Sequence, residues 1–144
     1  MFCARSVAPE ETVGEMQEGV EEAAEVLRGV MAEVGDRQRP ADVADPEQWL
    51  EAAAAVVGEA RELDVSGWLC TVAALTLWGP RTAADADALA SIVAEAEGGD
   101  RAVLGPIFTP VVSRWRELGA LDDQDRLTAL GWWGLPEALL RAWS

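Results

Sequence analysis

Apolar and polar positions alternate along this chain with the period of helices almost throughout. Val13, Met16, Val20, Ala23, Leu27, Val30 and Val34 recur at alternating spacings of three and four, with Glu15, Glu18, Glu22 and Glu25 opposite them. That stripe predicts an amphipathic helix from Pro9 to Gly35. Ala24, Val26 and Met31 widen it beyond a two-helix seam, so it is read as docking on a broad surface of its own chain or of a second copy. A polar linker over 36–45 follows. Asp45-Pro46-Glu47-Gln48 then has the cap, the proline and the capping-box residue of a helix start. Trp49, Ala53, Val56, Ala60 and Leu63 form the buried face of this second helix.

A third helix, Trp68 to Trp78, is expected with Ser66 as its cap. It is apolar nearly all round, which places it at the centre of a domain. Thr82-Ala-Ala-Asp85 resembles a capping box for a fourth helix with Ala86, Leu89, Val93 and Ala96 inside, closed by Gly98-Gly99. Gly105-Pro106 is expected to kink or split the segment that Asp100 opens. Thr109-Pro110 then reads as the start of a fifth helix, with Gly119 as its stop. Thr128 offers another cap, and Gly134 to Trp143 reads as a last helix with Pro136 in its first turn.

The pattern therefore predicts an all-α chain of five to six helices in an orthogonal bundle. Residues 1–45 would be an acidic helix and linker, and 46–144 a helical domain.

Arg116-Glu-Leu-Gly-Ala-Leu121, a polar turn, and Leu127-Thr-Ala-Leu-Gly131 together resemble the C-terminal part of a winged helix-turn-helix domain. In that family a recognition helix ends in Leu-Gly-Leu-Val, a wing follows, and Leu-Thr-Pro-Leu-Gly opens a closing helix. The resemblance covers about half of the chain. It departs in a very short, vestigial wing and in Ala129, where the pattern has proline. It implies that the third, fourth and fifth helices form the helical trio, and that Arg114 and Arg116 would face DNA.

Composition narrows the function more than the pattern does. Half of the residues are hydrophobic, enough for one core, and no run approaches the ~18 apolar residues of a membrane span. The first residues lack the features of a secretion signal, so a cytoplasmic chain is expected. Cys3 and Cys70 fit a reducing compartment, Cys70 as a small core residue, and no bridge between them is expected. The net charge is −15, of which residues 1–65 carry −11 and residues 66–144 carry −4. Such a field repels phosphate, so nucleic acid is an unfavoured partner and a basic protein a favoured one.

The chain has no His, Lys or Tyr. That removes the usual general base, the Schiff-base amine and the phenolic acid, and with two Cys it leaves no zinc ligand set. Asp122, Asp123 and Asp125 do not make a calcium loop, because the sixth position from Asp123 is Thr128 and the twelfth is Gly134. No cofactor or metal is expected, and the chain is read as non-enzymatic.

What remains is association: a homodimer or a basic partner. Met16, Val20 and Leu27 on the first helix, and Trp132, Trp133 and Trp143 in the tail, are the candidate partner-binding residues. Consecutive Trp132 and Trp133 cannot both enter one core, and an exposed tryptophan is a common anchor. DNA contact through Arg114 and Arg116, or binding of a small apolar ligand, is the alternative.

Overall fold

The computed structural model describes residues 9–60 and 62–143, with side chains described from residue 19 onward. Six helices follow one another: α1 (Pro9–Val34), α2 (Pro46–Glu59), α3 (Val65–Trp78), α4 (Ala86–Glu97), α5 (Arg101–Glu117) and α6 (Ala129–Ala142). No strand forms among the described residues. Extended pairing is limited to two isolated antiparallel bridges, Ala83 with Arg126 and Leu121 with Leu127. The all-α class expected from the periodicity is the class observed.

Local chemistry explains most helix ends. The Asp45 carboxylate accepts from the Gln48 N–H at 3.1 Å, with Pro46 in the first turn. Thr128 accepts from the Gly131 N–H at 3.1 Å to open α6, and Gly119 leaves α5 with φ of +79°. Four expectations are corrected. Asp64, not Ser66, caps α3, accepting from the Gly67 N–H at 2.8 Å. Thr82 does not cap α4; its hydroxyl donates to the Gly79 carbonyl at 2.7 Å, and Asp85 holds the cap position without a side-chain bond.

The other two corrections concern proline. α5 neither splits at Pro106 nor begins at Thr109-Pro110; it starts from the Asp100 cap and runs through both prolines. Both lie on the exposed side, where water can serve the carbonyls they orphan, while Phe108, Val111, Val112 and Trp115 keep the inner face intact. α6 likewise starts at Ala129 rather than Gly134, with Pro136 in its interior.

α3 is the hub, packed against α1, α4 and α6. Trp68 stands edge-on to Phe108, ring centroids 6.3 Å apart, and tilted against Trp115 at 6.0 Å. Thr71 and Thr76, both buried, donate their hydroxyls to the carbonyls of Gly67 and Val72 one turn back, so neither leaves an unmet polar group in the core. α2 lies across α6, where Leu50, Ala53 and Ala138 form a smaller core with Trp49 and Trp133 beside it. The acidic N-terminal helix shares the main core, since Leu27 is buried in it. Beneath the helices, segments 81–84, 120–122 and 125–128 join edge to edge through backbone bonds such as Arg81 N–H to Leu127 O at 2.7 Å.

Candidate interaction surfaces

The tail tryptophans are committed to the chain's own interior. Trp132 packs on the main core, and its indole N–H donates to the Thr76 carbonyl at 3.0 Å. Trp133 packs instead on the smaller core, its ring 6.3 Å from that of Trp49. Neighbouring residues on one helix thus serve two different cores, as their spacing requires. Trp143 is half-buried against the main core. None of the three stands free as an anchor.

On α1, Leu27 is 0% exposed. The expectation that it faces a partner is corrected: α1 lays this position into the groove beside α3, where the chain itself covers it. Val20 is half-buried, Val26 is exposed, and the side chain of Met16 lies outside the described residues.

Arg37, in the linker, explains how α6 tolerates its proline. Pro136 has no N–H, so the Trp132 carbonyl four residues back has no helical donor. The Arg37 Nη1 group donates to that carbonyl at 2.8 Å and to the Trp133 carbonyl at 2.9 Å. Its Nη2 lies 3.6 Å from Glu137. Burial lowers the guanidinium pKa and Glu137 raises it, the burial effect being the larger. Arginine stays charged in proteins, and the cation ties the linker after α1 to α6.

Arg114 and Arg116 are both engaged. Arg114 pairs with Glu59 of α2 at 2.7 Å, and Arg116 with Asp125 of the turn at 2.6 Å. Between Arg101 and Arg114 the outer side of α5 presents Val103, Pro106, Thr109, Pro110 and Ser113, with no cation among them. Asp122 shapes the adjoining turn: the backbone N–H groups of Arg126 and Gln124 bond its carboxylate and hold its pKa below the usual value. No group of acids, among the described residues, is arranged to hold a metal ion. Cys70 is a half-buried free thiol whose pKa burial pushes up, with Glu97 and Asp64 adding to the effect.

The free apolar surface lies where the sequence reading did not place it. Leu77 and Trp78, the last two residues of α3, are 54% and 59% exposed. The Trp78 side chain forms no hydrogen bond or ring contact among the described residues. A signal was present: residues 65–84 are the longest stretch of the chain without an acid, and Gly79-Pro80 ends a helix there that is apolar nearly all round. Three open clefts also mark the surface, of about 450 Å³ between α2 and α5, 430 Å³ beside Trp49, and 280 Å³ between α1 and α3. No helix is long and apolar enough, among the described residues, to cross a membrane. Comparison with known protein families, curated proteins and solved structures finds no match to this chain.

Proposed function

We propose that this chain is a non-catalytic helical interaction module that self-associates through the Leu77–Trp78 end of α3. The observation that carries the reading is the coincidence of exposed Leu77 and Trp78 with the longest acid-free stretch of the sequence, residues 65–84. Each copy carries −15, so two copies repel wherever acids meet. Leu77 and Trp78 lie inside that stretch, so the neighbouring sequence adds no carboxylate to the apolar surface two copies would bury there. Lack of His, Lys and Tyr supports the non-catalytic part.

Sedimentation velocity over a wide concentration range tests this. Species heavier than the 15.4 kDa chain are expected. They should grow with added salt, because screening removes repulsion but leaves apolar burial. Trp78→Ser should return the chain to its single mass. A single mass at every concentration and salt level sinks the reading.

A second reading is DNA contact through α5. What supports it is the resemblance of residues 116–121 and 127–131 to the winged helix-turn-helix family, with the Leu121–Leu127 bridge standing between α5 and α6. The neutral outer side of α5 and the paired state of Arg114 and Arg116 weigh against it, since phosphate binding needs free cations. Retention of duplex DNA in a low-salt filter assay, falling steeply as salt rises, would favour it over self-association.

A further inference from the structure

We infer that the cleft beside Trp49 docks an arginine side chain presented by a basic segment of a partner protein. The cleft measures about 430 Å³, within the ~300–1,000 Å³ range of ligand sites. Its half-buried lining includes Trp49, Leu118 and Leu130, and its exposed lining includes Asp42, Asp45 and Gln48. These parts match one side chain. A guanidinium can lie on an indole face, its methylene stem can cover leucine, and its forked N–H groups can reach two carboxylates.

Trp49 is fixed in place before anything binds. Its indole N–H donates to the Leu118 carbonyl at 2.6 Å, and the far edge of its ring rests on Gly134 so closely that an added Cβ would overlap it. A wall held in this way loses little freedom on binding. The negative end of α5, at Leu118, and the positive ends of α6, near Leu130, and of α2, capped by Asp45, all reach the cleft, and Asp42 and Asp45 supply its negative side chains. Neither carboxylate is in an ion pair among the described residues. The other clefts are less suited: the α2–α5 cleft, with Glu59 and Glu62, already holds a cation, Arg114, and lacks an aromatic ring, and the α1–α3 cleft has Glu22 as its acid and no aromatic ring.

This inference shares with the proposed function the idea of an interaction module, but it uses a different face and an opposite response to salt. The test titrates the full chain by calorimetry with a capped peptide of alternating leucine and arginine, and with the same peptide carrying citrulline for arginine. Binding of the arginine peptide is expected to weaken with salt, to fall roughly tenfold in Asp42→Asn/Asp45→Asn, and to shift the Trp49 indole N–H resonance. Asparagine at 45 can still cap α2, and Asp42→Asn alone leaves the cap untouched, so a folded variant is available. Equal binding of the citrulline peptide, unchanged binding in the double variant, or an unmoved Trp49 resonance each overturns the inference. Repeating the titration in Trp78→Ser separates the two ideas, because loss of self-association there leaves the cleft intact.

Discussion

The two ends of the tryptophan set behave differently. At the α2–α6 end, Trp49 and Trp132 each give the indole N–H to a backbone carbonyl, and each ring is held by another element. At the far end of α3, Trp78 carries the same side chain with neither a carbonyl nor a covering helix. Exposure, not the acceptor alone, decides which is available: Trp115 has no acceptor for its indole N–H yet is 0% exposed, whereas Trp78 is 59% exposed and open to another molecule. Counting tryptophans could not separate the two kinds; their exposure does.

The α2–α6 end breaks most easily at Gly131. A Cβ there would overlap the Ala120 carbonyl, which is backbone and cannot rotate away. Gly131→Ala is expected to cost about 3 kcal/mol in urea unfolding, at the upper end for overpacking. Next comes the proline clamp. Arg37→Ala strands the Trp132 carbonyl and should cost about 2 kcal/mol. Pro136→Ala supplies a helical N–H to that same carbonyl, so the double variant should recover much of the loss. A strictly additive cycle would show that Arg37 does not act through Trp132.

The α3 end should show the reverse profile. Trp78→Ser is expected to change unfolding stability by within roughly 0.5 kcal/mol, as for an exposed site, while abolishing self-association. A large stability loss would instead mean that Trp78 is part of the core.

The smallest effect sharpens the turn between these regions. Native bonding holds the Asp122 pKa below its unfolded value, so this group adds stability above the ordinary carboxylate range and loses it as pH falls through the folded pKa. Acidification should therefore lower the protection of the Gln124 and Arg126 amides relative to their intrinsic exchange rates at each pH, and Asp122→Asn should flatten that dependence.

Elements whose signals are local were legible in the sequence. The Asp45-Pro46 start, the Gly119 stop and the Thr128 cap depend on residues within a few positions. Asp64 and Ser66 are both capping types two residues apart, and the sequence offers no way to choose between them. Pro136 was misread for a deeper reason. Its orphaned carbonyl is served by an arginine 95 residues away from Trp132, and no local window contains that fact. The exposure of Trp78 could not be read because a helix that is apolar nearly all round has too little polar face to show which end protrudes. The cleft at Trp49 needed the fold, since it joins the linker, α2 and the two ends of α5 and α6.

The Arg37 contact also bears on how the chain can be shortened. A fragment begun at Pro46 would keep five helices, yet it would lose the donor that completes α6 and the Leu27 side chain that closes the main core. Trimming the acidic leading segment to obtain a tidier protein would therefore fray the opposite terminus, and the two extremities should melt together.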